Sequence, residues 1–327
     1  MEIELDLPRQ EKNPVQAVVD RIESEVGRVF YGQKELFQGV LVALLTGGHV
    51  LLEGVPGLGK TLLARALGKV MGCRFNRIQF TPDLMPADVT GTHVFDEKLG
   101  DFKFHPGPIF TNILLADEIN RSPAKTHAAL LEVMQERQVT VDGKRFKMPE
   151  PFLVIATQNP IETEGTYNLP EAQLDRFMFK LMIHYPDMDN ELAILNQFIA
   201  PQNPMQILES SLRAVVDRDI LAKMDQFIQS VQVQEKIVRF IANLVRATRS
   251  WQGIYTGASP RAGVTLVQAA RTLAAMRGRA YVVPDDVMEL ALPTMRHRIT
   301  LAPETEVEGI SADSILQECF KSVEVPR

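Results

Sequence analysis

The stretch that decides the fold lies early in the chain and reads Gly54-Val55-Pro56-Gly57-Leu58-Gly59-Lys60-Thr61. It matches the phosphate-binding P-loop pattern, in which a lysine and a threonine follow a loop bounded by glycines. Glycines allow backbone N–H groups to converge on phosphate oxygens. The pattern therefore predicts a site for a phosphate-bearing ligand at residues 54–61.

The residues on either side of this loop supply the context that the motif requires. Val50-Leu51-Leu52-Glu53 is a short apolar run suited to a buried strand. After the loop, apolar residues recur at helical spacing, namely Leu62, Leu63, Ala66, Leu67 and Val70. Such a helix directs the positive end of its dipole at a bound phosphate. Lys60 is expected to reach the β- and γ-phosphates, and the Thr61 hydroxyl to bind Mg²⁺. A chance glycine loop is the alternative, and the flanking strand and helix argue against it.

Composition is that of an ordinary globular enzyme. The 327 residues suffice for two domains, 45% of them are hydrophobic and 23% are charged. A net charge of −6 argues against a protein whose main role is to coat nucleic acid. Cys73 and Cys319 match no metal-binding spacing, so free thiols in a reducing compartment are expected. The acidic N-terminus lacks a signal peptide and no apolar run is long enough to span a bilayer, which predicts a cytoplasmic protein.

The pattern of apolar residues divides the chain into three parts. Residues 1–14 are polar and predict a flexible tail. Residues 15–187 alternate helical and strand-like segments, which is typical of an α/β core with a parallel sheet sandwiched by helices. Residues 188–327 predict a smaller all-helical domain that begins after a proline-containing turn. Its helices are expected at 189–199, 218–230, 234–249, 261–277 and 284–295.

A second strand, Ile113-Leu114-Leu115-Ala116, ends in the carboxylates of Asp117 and Glu118. In a P-loop fold this is the Walker B position. Asp117 would hold Mg²⁺ through water, and Glu118 would orient and polarise the attacking water. The alternative is a strand followed by solvated acids. The P-loop upstream favours the catalytic interpretation.

Three further polar residues are candidates for phosphate contacts. Asn159 follows the apolar strand 152–157 and could contact the γ-phosphate or the attacking water, although Asn-Pro is also a good turn. Arg176 has no evident role at its own P-loop and could act across a subunit interface, or form a surface ion pair with Asp175. Arg261 opens a helix after Ser259-Pro260, where a positive charge opposes the helix dipole. This placement suggests phosphate contact, and an exposed arginine without a function is the alternative.

Taken together, these motifs resemble an AAA+ ATPase. More narrowly, Asp117-Glu118-Ile119-Asn120-Arg121, Gln158-Asn159-Pro160 and residues 169–177, Leu-Pro-Glu-Ala-Gln-Leu-Asp-Arg-Phe, resemble the MoxR family over residues 15–300. The resemblance implies that Asn159 is sensor 1, Arg176 the arginine finger and Arg261 sensor 2, with the last acting in cis or in trans. It also places Tyr31-Gly32-Gln33 near the adenine and makes residues 54–62 part of the nucleotide site.

The same resemblance implies two extra hairpins, and both have local support. Strand-like residues at 91–95 and 102–104 flank a polar turn, and an Asp-Gly turn lies within residues 138–147. Lys144 and Arg145 could contact a polyanion, but a solvated tip is favoured because no aromatic residues are interleaved to stack bases. Nucleic acid is therefore not the expected partner.

The predicted function is Mg²⁺-dependent ATP hydrolysis by a ring-forming AAA+ ATPase that remodels or matures partner proteins. The resemblance implies a homo-oligomer, commonly a hexamer, and partners with von Willebrand factor A domains. Movement of the helical domain against the core near residue 187 would shift the hairpins. The alternatives are a magnesium-chelatase-type subunit and an ATP-gated assembly scaffold with little turnover.

Overall fold

A computed structural model describes residues 13–98, 100–159, 167, 169–199 and 203–326. The helices are α1 (Pro14–Val26), α2 (Lys34–Thr46), α3 (Lys60–Val70), α4 (Pro86–Thr90), α5 (Ala124–Glu136), α6 (Glu171–Leu174), α7 (Met188–Ile199), α8 (Pro204–Ser210), α9 (Arg218–Ser230), α10 (Glu235–Ala247), α11 (Pro260–Met276), α12 (Pro284–Met295), α13 (Pro303–Val307) and α14 (Ala312–Lys321). The strands are β1 (Val50–Glu53), β2 (Phe75–Gln79), β3 (Gly91–Asp96), β4 (Asp101–Pro106), β5 (Ile113–Asp117), β6 (Gln138–Val141), β7 (Lys144–Lys147), β8 (Leu153–Gln158), β9 (Phe179–Met182), β10 (Ile254–Thr256) and β11 (Thr300–Leu301).

A five-stranded parallel sheet forms the centre of the core, in the order β2-β5-β8-β1-β9. The strands predicted at residues 50–53, 113–116 and 152–157 all belong to it as β1, β5 and β8, whereas β9 was not predicted. Because every strand runs in the same direction, the carboxyl ends of β1, β5 and β8 meet at one edge of the sheet. The loops that follow those strands are therefore neighbours, and they carry the candidate site.

The strands are apolar on both faces because helices cover both faces. Alternate residues along β1, β5 and β8 divide between two clusters of buried side chains. One cluster joins the sheet to α1, α2 and α3 and continues into the helical domain, and the other joins it to α5. The predicted sandwich of sheet and helices is confirmed, and its first cluster is shared with the C-terminal domain.

The first helix ties the chain's start to the helical domain. Asn13 caps α1 by accepting bonds from Val15 N and Gln16 N, and its Nδ2 donates to Ala275 O at 3.0 Å. Asn13 and Pro14, which the sequence assigned to a tail, thus belong to this packed helix. Residues 1–12 of that tail lie outside the described residues.

Both predicted hairpins form, and they contact each other. The first pairs β3 with β4 and the second pairs β6 with β7. Phe104 of the first stacks on Phe146 of the second with ring centroids 4.4 Å apart, and His93 Nδ1 lies 2.6 Å from Asp142 Oδ2. Each hairpin therefore contributes aromatic side chains to a cluster at their junction.

The C-terminal domain is helical, as predicted, with additions that the sequence did not indicate. A two-stranded antiparallel ribbon, β10–β11, and the helices α8, α13 and α14 were not anticipated. No helix in the described ranges is long and apolar enough to cross a membrane.

Candidate functional site

The P-loop connects β1 to α3 with the backbone geometry that its glycines permit. Gly57 and Gly59 have φ of +86° and +78°, in the left-handed region that disfavours side chains. At Gly54 a Cβ atom would lie 2.7 Å from the Ile183 carbonyl oxygen. The loop is thus pressed against the chain that leaves β9, and it leads directly into the N-terminus of α3.

Lys60 is the first residue of α3, and its side chain folds back over the loop. Its Nζ donates to Gly54 O at 2.8 Å. Partial burial lowers the pKa of this ammonium group, and the nearby carboxylates of Asp117 and Glu118 oppose that shift. The lysine therefore faces both acids across the P-loop and can neutralise further negative charge placed there.

Asp117 ends β5 and is held on both carboxylate oxygens. The Thr157 hydroxyl donates to Oδ1 at 2.5 Å, and Arg77 Nη2 donates to Oδ2 at 2.6 Å. Thr157 is buried at the end of β8, beside β5 in the sheet. Neighbouring strands thus aim this carboxylate toward the P-loop edge.

Glu118 has a left-handed backbone with φ of 53°, a conformation uncommon in residues other than glycine. Its N–H donates to Thr157 Oγ1 at 2.9 Å, which holds that turn. The carboxylate accepts a bond from Gln79 Nε2 at 2.8 Å and pairs with Arg121 Nε at 3.0 Å. The two acids share Thr157 as their common support.

The residues after β8 lie beside the P-loop, as expected. Gln158 is level with Glu53 across the β1–β8 pair, and its Nε2 donates to the Glu53 carboxylate. Lys180 also pairs with Glu53 at 2.8 Å. The Gln158 side chain is therefore bound to β1. Asn159, one residue further, provides the polar side chain that follows β8 at this edge of the sheet.

The segment Tyr31-Gly32-Gln33 also approaches the P-loop. The ring of Phe30, the preceding residue, lies 3.3 Å from a Cβ placed on Gly59. Gly32 has φ of +70° and packs against the Asn190 side chain at the start of α7. Gln33 is the N-cap residue before α2, and its Oε1 is buried without a described hydrogen-bond partner. These residues border the nucleotide site that the P-loop predicts.

Arg176 and Arg261 line a different region of the surface. Both face one groove together with the turn Gly47–His49. Arg261 Nη1 lies 3.2 Å from Asp175 Oδ2, and Arg298 Nε donates to Asp175 Oδ1 at 2.7 Å. The alternative in which Arg176 pairs with Asp175 is wrong, because Arg261 and Arg298 occupy that carboxylate. No described residue forms an ion pair with Arg176.

The groove lies at the edge of the sheet opposite the P-loop. Met178 N, just before β9, donates to His49 O, just before β1, so both mark the amino end of their strands. At about 3.3 Å per residue, the chain from His49 to Gly54 spans roughly 16 Å. An arginine side chain cannot cover that distance. Neither Arg176 nor Arg261 can reach the P-loop of its own subunit in this arrangement.

Sequence reasoning missed the residues that support the candidate site from neighbouring strands. Thr157, Gln79 and Arg77 contact the two acids, and Arg298 holds the loop that carries Arg176. A polar residue at the end of an apolar strand was the available signal for Thr157 and Gln79. Strand order was needed to use it, because Gln79 lies opposite Asp117 in the β2–β5 register.

Comparison with known proteins identifies related chains. Residues 49–179 match the family described as "ATPase family associated with various cellular activities (AAA)", and residues 246–319 match the "AAA lid domain". The chain is 46% identical to YeaC of Bacillus subtilis, an uncharacterized protein, with 92% of each covered. It is 43% identical to Chaperone MoxR1 of Mycobacterium tuberculosis over 94% of this chain and 82% of that protein. The crystal structure of a "putative ATPase" from Cytophaga hutchinsonii superposes with a TM-score of 0.88 at 41% identity, covering 96% of both chains.

Proposed function

This chain belongs to the MoxR family of AAA+ ATPases, and on that basis we propose that it hydrolyses ATP with Mg²⁺ at sites shared between neighbouring subunits of a ring. ATPase activity and nucleotide binding follow from the family. The Mg²⁺ requirement, the ring and the role of each residue are our proposal.

One observation carries the shared site, namely that the P-loop and the groove with Arg176 and Arg261 lie at opposite edges of one sheet. Two copies arranged head to tail bring the groove of one subunit to the P-loop of the next. Such heterologous contacts close into a ring when the rotation between subunits permits. Arg261 would then act in trans together with Arg176, which is one of the two alternatives that the sequence leaves open. Six subunits is the number that the family resemblance favours.

Within one subunit, the P-loop edge provides the groups that phosphoryl transfer needs. The P-loop amides and Lys60 would hold the phosphates, Glu118 would orient and polarise the attacking water, and Asn159 would contact the γ-phosphate or that water. Thr61 and Asp117 offer the hydroxyl and carboxylate oxygens that Mg²⁺ prefers. Bound there, Mg²⁺ would offset phosphate charge. An arginine supplied by the neighbour would stabilise the charge that develops during transfer.

We further propose that ATP turnover serves to remodel or mature a partner protein. The name Chaperone MoxR1, carried by a relative 43% identical to this chain, supports a role of that kind. The family resemblance favours partners with von Willebrand factor A domains. A cytoplasmic location stays a prediction from the sequence.

The proposal is tested by measuring ATP hydrolysis per subunit over a wide range of protein concentration with Mg²⁺ present. Specific activity should rise as subunits assemble, and Arg176→Ala should abolish the rise while nucleotide binding persists. Glu118→Gln should remove turnover in the assembled protein. Arg239→Ala is a matched control, since that arginine is exposed on α10 and pairs only within its own helix among the described residues. Substantial activity that stays flat down to monomeric concentrations would refute the shared site, and tight binding without turnover would favour a scaffold.

A further inference from the structure

We propose that Arg137 is a third arginine that contacts the neighbouring subunit's triphosphate, beside Arg176 and Arg261. This inference rests on the proposed function, because it needs a shared site. Arg137 lines the same groove as those two residues, at the edge of the sheet opposite its own P-loop. It therefore faces the surface that would receive the adjacent nucleotide.

The position of Arg137 is fixed by its backbone and by one hydrogen bond. It is the C-cap residue that follows α5, in the left-handed conformation with φ of 51°, and it immediately precedes β6. Its Nη2 donates to Gly47 O at 2.7 Å, although the residue as a whole is exposed. One guanidinium nitrogen is thus anchored on the groove wall, and the remaining N–H groups are available to an anion.

The turn at Gly47 provides the space for this guanidinium group. A Cβ at Gly47 would lie 2.5 Å from Arg137 Nη2, a separation that real Cβ atoms do not show. Gly47 also has φ of +74°, where a side chain would be strained. The absence of a side chain at this position keeps Arg137 against the groove.

The charges that line the groove favour an anion. Asp175 is the single acidic residue among its described lining residues, and Arg298 already binds that carboxylate at 2.7 Å from a 2% exposed position. Arg137, Arg176 and Arg261 therefore leave an excess of positive charge. Three guanidinium groups converging on one groove match the several oxygens of a triphosphate.

Arg137 also connects the groove to the hairpins. Its carbonyl accepts a bond from Met148 N at 2.9 Å, which closes the base of the β6–β7 hairpin. The tip of that hairpin binds the first hairpin through Asp142 and His93. A phosphate bound by Arg137 would therefore affect the position of both hairpins. A phosphate bound by Arg176 or Arg261 has no such direct connection to the hairpins.

The test uses full-length subunits mixed in equal amounts. Arg137→Gln keeps a polar side chain but removes the positive charge and shortens its reach, and it should lower specific activity roughly ten- to hundredfold. Arg137→Lys should recover part of that loss. Lys60→Ala disables the P-loop but leaves the groove intact. Mixing it with Arg137→Gln should restore activity above the sum of the two separate proteins, because about a quarter of interfaces then pair an intact P-loop with an intact groove under random assembly.

A second mixture, of Lys60→Ala with Arg176→Ala, distinguishes failure of this inference from failure of the shared site. If Arg176→Ala is complemented by Lys60→Ala and Arg137→Gln is not, Arg137 acts within its own subunit and the inference is overturned. Full activity of Arg137→Gln alone overturns it as well. If neither variant is complemented, the shared site itself is refuted and the inference falls with it.

Discussion

Replacing Thr157 by valine should show how much activity depends on the positioning of Asp117 and Glu118, because both carboxylates remain in the protein. Valine retains the volume of threonine but lacks the hydroxyl that donates to Asp117 Oδ1 at 2.5 Å and accepts from Glu118 N at 2.9 Å. The change removes a hydrogen bond to a carboxylate and leaves the half-buried Glu118 N–H without its acceptor. Together these losses should lower the free energy of unfolding by about 2–4 kcal/mol.

The effect on turnover should exceed what the loss of stability explains. Without Thr157 the left-handed turn at Glu118 loses its anchor. If Glu118 orients the attacking water as we propose, its displacement should lower kcat roughly tenfold or more. The assay combines urea unfolding with kcat at saturating ATP, below the temperature at which the variant unfolds. Thr157→Ser, which keeps a hydroxyl, should recover most of the activity.

Thr111→Val provides a control for burial and hydrogen-bond loss. Thr111 is buried at the opposite end of β5 and donates to Arg74 O at 2.8 Å. Its replacement should reduce stability while kcat stays within about twofold. If Thr157→Val loses stability but keeps kcat in the same range, Thr157 does not position the acids and the reasoning is refuted.

Two further predictions follow from buried groups. The His49 ring accepts from Val154 N and bonds Met134 O, and burial lowers its pKa from 6.5 to about 4, so the unfolded chain binds more protons than the folded one between those pH values. The free energy of unfolding should therefore fall as pH is lowered through this window, and this group contributes up to about 1.4 kcal/mol per pH unit. Urea midpoints measured at several pH values should depend less steeply on pH in His49→Gln than in the unchanged protein. Gly54→Ala would place a Cβ 2.7 Å from Ile183 O. It should lower the free energy of unfolding by about 1–3 kcal/mol and weaken nucleotide binding, measured by a fluorescent-ATP titration. Gly309→Ala is the control, because Gly309 has φ of +72° but no neighbour within 4 Å, and it should leave binding unchanged.

The parts of the fold that were predictable are those that short stretches of sequence determine. The P-loop, the strand ending in Asp117 and the Asp-Gly hairpin each follow from a local pattern of apolar, acidic or glycine residues. Helices α9 and α12 begin and end where their periodicity placed them. The hairpin and the two helices satisfy their backbone hydrogen bonds within a few residues. The strand pairs with distant segments, but its unbroken apolar run is enough to indicate it.

The parts that were not predictable depend on contacts between distant segments. The Asp175–Arg298 bridge joins residues 123 positions apart, and β10 pairs with β11 across the intervening helices α11 and α12. Strand β9 is short and follows closely after α6, so its apolar residues carry little periodic signal. The aromatic contact between Phe104 and Phe146 also required knowledge that the two hairpins are adjacent, which neither hairpin sequence contains.

The connections of the chain suggest why the two hairpins accompany the two acids. Strand β2 carries Gln79, which bonds Glu118, and it continues through α4 into the first hairpin. Strand β5 carries Asp117 and continues through α5 and Arg137 into the second. Each hairpin thus follows a strand that ends at the P-loop edge of the sheet, and the His93–Asp142 contact joins the turn of the second hairpin to the first hairpin near its base. A change at the acids and a change at the neighbour's phosphate would therefore converge on one paired unit, and a partner protein bound to that unit would respond to both.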